Sequence, residues 1–373
     1  MIRILHVFGA LNRGGAETMI MNLYRQIDRT KIQFDFVVHT QEVGDYEKEI
    51  GELGGKVFRV PRYNIKNHLE YTHAWQEFFK AHPEYKLLHG HLRGSAFQYL
   101  KVAKQNGLKT IMHSHSISSR GEGIEKHIKN LLRFPMRKWV DYPYACSTEA
   151  GIWLFGKNIV KNKKFKIIKN GIDIEKYEYS KIKRESLRKK LGLKEEKIIG
   201  HVGSFTYPKN HKFLLEIFNE VQKQRDDVKL LLVGDGELRE EITDQIKRQN
   251  LEEKIILAGL VENVQDYLQV MDVFLFPSHF EGLPVSVVEA QATGLKCFLS
   301  DRITQEVDLD CDLIDWNSLE KSSKEWSEEI LNNLDYERYS RNENIEKAGY
   351  DVRVNAIELE ENYNIISNEG VIL

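Results

Sequence analysis

The stretch Phe280-Glu281-Gly282-Leu283-Pro284-Val285-Ser286-Val287-Val288-Glu289-Ala290 decides how this chain is read. Pro284 suits the first position of a helix, where a missing N–H costs nothing. The helix is expected over Val285–Ala292 and to stop near Gly294, a residue type favoured just past a helix end. Its first turn leaves backbone N–H groups unpaired and carries the positive end of the helix dipole. Gly282, Leu283, Pro284 and Val285 therefore outline a phosphate site. Glu281 falls in the loop before the helix, and Glu289 about one and a half turns inside it. A carboxylate accepts hydrogen bonds from hydroxyl pairs, so both glutamates suit a sugar or a ribose. An anion site flanked by two such acceptors reads as a nucleotide-sugar pocket. The plain alternative is a solvated loop glutamate and an exposed helix glutamate.

The flanking text narrows this. Asp272-Val273-Phe274-Leu275-Phe276-Pro277-Ser278 precedes the pair, and Ala290-Gln291-Ala292-Thr293-Gly294-Leu295 follows it. Gly14-Gly15-Ala16-Glu17 stands after the first apolar run, and Asn170-Gly171-Ile172-Asp173 near the middle. Val202-Gly203 with Lys209, then Val233-Gly234-Asp235-Gly236, complete the series. In their order and spacing these motifs resemble the retaining family-4 glycosyltransferases of the GT-B fold, along nearly the whole chain. The opening, Gly9 to Thr18, looks most like the bacterial capsular and exopolysaccharide branch.

The resemblance implies an α/β chain of two doubly wound Rossmann-like domains facing across a cleft. It implies retaining transfer of a hexosyl group from a nucleotide sugar, UDP-linked rather than GDP-linked, to a glycan on a membrane lipid. Carried over residue by residue, Lys209 and the helix start at Leu283–Val285 hold the diphosphate. Glu289 binds the ribose, Glu281 the donor-sugar hydroxyls, and His115 (with His113 as fallback) lies on the sugar. Gly14 and Gly15 border the transferring phosphate. Gly203 keeps its place, but Ser204 stands where the family carries arginine. A serine hydroxyl cannot grip a phosphate as a guanidinium does. Lys212 or Arg13 would have to compensate.

The other readings are of different chemistry. One is a nucleotide-sugar epimerase on the same fold. Another is a metal-dependent hydrolase built on His89/His91 and His113/His115, whose alternation puts each pair on one strand face. A third is a non-catalytic partner subunit, which Ser204 keeps open. The histidine pairs lack a matched carboxylate, so no metal and no cofactor is expected. Asp308, Asp310 and Asp312 have the spacing of metal-dependent sugar transferases, yet read as a solvated acidic loop.

A chain of 373 residues fits two domains, and 41% hydrophobic residues suffice for buried cores. No apolar run approaches the roughly 18–20 residues needed to span a bilayer, and Met1–Ala10 reads as a strand rather than a signal peptide. Cys146, Cys297 and Cys311 are odd in number and scattered, which argues for a reducing cytoplasm. Residues 1–178 carry 29 Lys+Arg against 18 Asp+Glu, whereas the remainder carries 25 against 38. The basic part suits an anionic membrane surface or a phosphate-bearing acceptor; two domains attracting each other is the alternative. The basic amphipathic stretch Glu125–Val140 is either a membrane-facing helix or a core-facing one with a wet side. No nucleic-acid partner is expected. The working place is cytoplasmic, with a peripheral position at the inner face of the plasma membrane.

Short apolar runs alternate with amphipathic stretches, the pattern of parallel α/β sheets. Strands are expected at Arg3–Phe8, Phe34–Val38, Lys56–Val60, Leu87–His89, Thr110–His113 and Tyr144–Cys146. A second set follows at Lys197–Val202, Lys229–Val233, Ile255–Ala258, Val273–Phe276 and Lys296–Leu299. The domains are expected at 1–178 and 179–349, with Ser180–Lys197 as the linker region. Residues 350–373 are expected to form a helix that returns to the first domain.

Overall fold

The structure, a computed structural model, describes residues 1–115 and 133–369. It divides into two compact units, Met1–Ile172 with the segment from Asp351 onward, and Asp173–Tyr350.

The first unit holds seven strands: β1 (Ile2–Phe8), β2 (Ile32–Val38), β3 (Val57–Arg59), β4 (Leu87–Gly90), β5 (Lys109–Ser114), β6 (Tyr142–Ala145) and β7 (Lys166–Ile167). They pair in the order β3-β2-β1-β4-β5-β6-β7, all in parallel. A parallel sheet is covered on both faces, so its strands are apolar throughout; β2 is buried at every position. Alternation splits the side chains between two cores. Ile4, Phe34, Phe36, Leu87 and Ile111 join Met21, Leu23, Leu359 and Tyr363 on one face. Leu5, Val37, Leu88 and Met112 join Tyr71, Trp75 and Tyr99 on the other.

The last helix, Val352–Asn368, packs on the first, Gly15–Gln26, and supplies Leu359, Tyr363 and Ile366 to the first unit's core. Asp351 caps it by accepting the Arg353 N–H at 2.8 Å. The Asn170-Gly171 turn receives its start: the Val352 N–H donates to the Ile172 carbonyl at 3.1 Å. A Cβ at Gly171 would stand 2.9 Å from Val352 Cα, so only glycine lets the backbones approach this closely.

The second unit holds β8 (Lys197–Val202), β9 (Val228–Val233), β10 (Ile255–Gly259), β11 (Val273–Phe276), β12 (Lys296–Ser300) and β13 (Ile314–Asn317). Their order is β10-β9-β8-β11-β12-β13, again parallel. Both sheets thus reverse strand order beside their first strand, between β1 and β4 and between β8 and β11. Such switch points are where doubly wound sheets bind ligands, beyond the carboxyl ends of the strands.

Four sequence expectations need correction. The units divide at Ile172/Asp173, not at 178/179, because the helix Ile174–Tyr177 packs against the helices Val264–Val270 and Val285–Ala292. Ser180–Lys197 is not a loose linker: Lys181–Lys190 is a helix that packs on Val264–Val270. Arg184 anchors it, donating to the carbonyls of Gln269, Val270 and Met271 at 2.9, 2.6 and 2.9 Å and to Asp272 at 2.7 Å. Pro284 is the N-cap residue of Val285–Ala292 rather than its first helical residue. The edge strands β7 and β13 went unpredicted.

Of the basic stretch Glu125–Val140, residues 125–132 lie outside the described residues. In the rest, Met136 is buried and Arg137 donates to the Leu154 carbonyl at 2.9 Å, while Lys138 is exposed. Among the described residues no helix is long and apolar enough to cross a membrane. The buried position of Leu359 gives a test. Leu359→Ala should destabilise the first unit by about 2–5 kcal/mol, the usual range for emptying a core leucine site. Urea unfolding followed by hydrogen exchange should show protection lost in β1, β2 and β4 but retained in β8 and β9; equal loss in both would refute the assignment of this helix.

Candidate functional site

In the second unit three loops are laced together beyond the strand ends. Gly234, after β9, sits at φ +141°, where a side chain would run into the Gly203 carbonyl. Phe205 N–H donates to the Asp235 carbonyl at 2.9 Å, and Leu238 N–H to the Phe205 carbonyl at 3.0 Å. These bonds hold the loop after β8 against that after β9. The β8 loop then turns through Tyr207–Lys209 and reaches the β11 loop. Asn210 Nδ2 donates to the Pro277 carbonyl at 3.0 Å, and His279 N–H to the Pro208 carbonyl at 2.8 Å.

This lacing carries Lys209 across the switch point. Its Nζ lies 2.7 Å from Glu281 Oε1, with the two side chains only 14% and 18% exposed. It also stands 4.5 Å from the Phe276 ring centroid, in cation–π range. Gly203 lies close by: a Cβ there would be 3.1 Å from Lys209 Cε. Ser204 is exposed, its hydroxyl 3.2 Å from that of Thr206. Lys212 is exposed one turn further on, and the Arg13 N–H of the first unit donates to Asp45 at 3.2 Å.

The helix Val285–Ala292 opens after Gly282 and Leu283 without a side-chain cap, and Gly294 follows it at φ +73°. Its uncapped first turn presents backbone N–H groups and positive dipole. Glu289 lies half-buried on this helix and accepts the Tyr177 hydroxyl at 2.6 Å. Loss of water pushes its carboxyl up to about 7, against the opposing pull of the Tyr177 bond. Asp308, Asp310 and Asp312 are exposed.

In the first unit Gly14 is the N-cap of Gly15–Gln26, also without a side-chain cap, and the space where a Gly15 side chain would project is open. His115 closes a ladder of imidazoles on one face of β1, β4 and β5. His6 Nδ1 is 3.0 Å from His91 Nε2, and His91 Nδ1 is 2.7 Å from His115 Nε2. His113 stacks on His115 at 4.2 Å, and His89 Nδ1 meets the Tyr363 hydroxyl at 2.6 Å. Burial pushes His6 and His115 down to about 3 and the other three well below the usual range. His6 Nε2, His89 Nε2, both nitrogens of His113 and His115 Nδ1 have no partner among the described residues. A buried nitrogen left so costs about 1–3 kcal/mol.

Known proteins place this arrangement. Residues 13–176 match the model of Glycosyltransferase Family 4, and residues 183–350 that of Glycosyl transferases group 1. The putative glycosyltransferase EpsF of Bacillus subtilis is 34% identical over 370 residues, covering 97% of this chain and 96% of that protein. The chain belongs to the family-4 and group-1 glycosyltransferases. This glycosyltransferase is also 26% identical over 230 residues to the UDP-Gal:alpha-D-GlcNAc-diphosphoundecaprenol alpha-1,3-galactosyltransferase of Escherichia coli, covering 58% of each. Its fold is that of Anabaena Alr3699/HepE, solved in complex with UDP and glucose: TM-score 0.77 at 18% identity, over 98% of this chain and 100% of that one. The architecture of the two parallel-sheet domains is therefore GT-B.

The structure of this glycosyltransferase brings Lys209, Gly203, Glu281 and the helix start together in one unit, with Glu289 on the same helix. His115, Gly14 and Gly15 lie in the other unit. Three contributors escaped the sequence reading. Tyr177 follows the Asn170–Asp173 motif by only four residues, which was the available signal. Phe276 ends an apolar strand, and His6 is a lone histidine in another; neither announces a polar partner.

Glu289 gives a prediction with a definite sign. The folded chain keeps its proton to higher pH than the unfolded chain, whose glutamate titrates at its ordinary value of 4.5. The contribution to stability is present below pH 4.5 and lost as pH rises towards about 7. Stability of the native protein relative to Glu289→Gln should therefore fall across that window in urea titrations. A constant difference would show that Glu289 ionises as it does in water.

Proposed function

We propose that the chain is a retaining glycosyltransferase that moves a hexosyl group from a UDP-sugar to a lipid-linked glycan in capsular or exopolysaccharide synthesis. The observation that carries this reading is the Lys209–Glu281 pair, 2.7 Å apart at the switch point of the second sheet and followed by an uncapped helix start. A diphosphate needs a cation and unpaired N–H groups, and a sugar needs a hydroxyl acceptor; these stand side by side. The names of the relatives support the choice of nucleotide and acceptor: the E. coli protein's names a UDP-sugar donor and a diphosphoundecaprenol acceptor.

In this reading Lys209 and the N–H groups after Pro284 neutralise the leaving diphosphate, with Gly203, Ser204, Gly282, Leu283 and Val285 around it. Glu289 accepts from the ribose and Glu281 from the sugar hydroxyls. The acceptor hydroxyl attacks the anomeric carbon from the side the diphosphate leaves. The bond from that carbon to the phosphate oxygen breaks as the new glycosidic bond forms, and the hydroxyl proton passes to the diphosphate. The configuration is kept without a carboxylate nucleophile. Catalysis by positioning and charge needs no metal at the phosphates. The basic balance of residues 1–178 suits docking on an anionic membrane, where a lipid-linked acceptor resides.

Two tests follow. Glu281→Gln and Glu289→Gln should fold and lose at least about tenfold in transfer, the worth of one charge-assisted hydrogen bond, while the native enzyme keeps its rate in excess chelator. Native rates in both variants, or chelator inactivation reversed by manganese, would sink the assignment. Ser204→Arg should tighten UDP binding by about tenfold or more, since a guanidinium adds a bidentate phosphate contact. Calorimetric titration with unchanged affinity would mean that another cation already fills the place.

A further inference from the structure

The imidazole ladder has more nitrogen than a sugar-binding histidine requires. His6 and His89 are register partners across β1 and β4, the switch point of the first sheet, and His91 follows on the same face. One ring nitrogen from each lies within 4.8 Å of the other two. His6 Nδ1 and His91 Nε2 stand 3.0 Å apart, and one proton bridges them. Two nitrogens bound to a single tetrahedral ion at about 2.0–2.1 Å stand roughly 3.3 Å apart. If the bridging proton shifts to His6 Nε2, both facing nitrogens offer lone pairs, and this pair then needs to part by only a few tenths of an ångström to hold an ion, with His89 closing in from within 4.8 Å.

We propose that His6, His89 and His91 bind one late transition-metal dication, zinc foremost. Imidazoles without a carboxylate select zinc, copper or nickel over magnesium, calcium or manganese. The outer partners are also in place. In the tautomer whose Nδ1–H donates to the Tyr363 hydroxyl, 2.6 Å away, His89 keeps the lone pair on Nε2, which has no partner among the described residues. The corresponding tautomer of His91, with Nδ1–H donating to His115 Nε2 2.7 Å away, holds the second ring in the same way. Such second bonds orient metal-bound histidines. Imidazole ligates in its neutral form, and burial disfavours the charged one. The ion would join β1 to β4 and, through Tyr363, to the last helix. Its ligands are not among the donor-site residues named above, though His91 bonds to His115, and the inference does not rest on that reading.

The full chain, free of any histidine tag and stripped by chelator, is titrated with cobalt and then with zinc. The expected result is one equivalent of cobalt bound with the intense visible absorption of a four-coordinate site, the three imidazoles and one water, displaced by zinc, and no binding of magnesium. Tyr363→Phe should weaken binding by about 10–100-fold, the usual effect of removing an outer partner. His6→Gln should abolish it. Should His6→Gln fail to fold, stoichiometry in the native chain and the Tyr363→Phe shift still decide. Absence of saturable binding in the native chain overturns the proposal. So does unchanged affinity in Tyr363→Phe or His6→Gln, which would move the ion to His113 and His115. UDP affinity, measured in parallel, reports on the donor site independently.

Discussion

Parallel pairing is the constraint on which the rest depends. Two neighbouring strands that run the same way cannot be joined by a tight turn; each connection must cross back over a face of the sheet. Every strand end that carries chemistry therefore lands on the same edge. In the second unit that edge receives Gly203, Lys209 and Glu281; in the first it receives His91 and His115. Reversal of strand order beside β1 and β8 then opens a gap between two loops that diverge. The chemistry is placed by topology before any side chain is chosen.

Within that placement, two carboxylates on one segment meet different surroundings. Glu281 leaves water beside an ammonium group, which offsets the cost of burial. Glu289 leaves water beside a phenol, and burial pushes its carboxyl up to about 7. The difference comes from the neighbours Lys209 and Tyr177, one from the β8 loop and one from a single helical turn after the middle motif.

What could be read from the sequence was what depends on local pattern. β1, β8 and β11 are apolar runs, and the helix Val285–Ala292 has a proline before it and a glycine after it, so their positions were legible to within a residue. The helix Lys181–Lys190 was not, because it is mostly charged and is held by Arg184 against carbonyls far along the chain. β7 has only two residues, too few to show alternation. Of the site, Lys209, Glu281 and Glu289 stood out through motif spacing, whereas Tyr177 and His6 matter only through partners brought near by folding. The five histidines read as two separate pairs and a lone residue until β1 was seen to lie beside β4.

The last helix has a consequence for how the chain is made. The second unit is an unbroken segment, Asp173–Tyr350, and all its strands are available once that stretch has left the ribosome. The first unit is not: Leu359, Tyr363 and Ile366 belong to its core but are synthesised nearly two hundred residues after β7. Until they arrive, one face of its sheet lacks part of its cover: Phe34 and Tyr144 share that core with Tyr363, and the first helix packs there beforehand. Domains generally mature in the order of synthesis; here the segment translated first is the one that finishes last. Its early life is that of a half-covered sheet, the state in which chaperones find their clients.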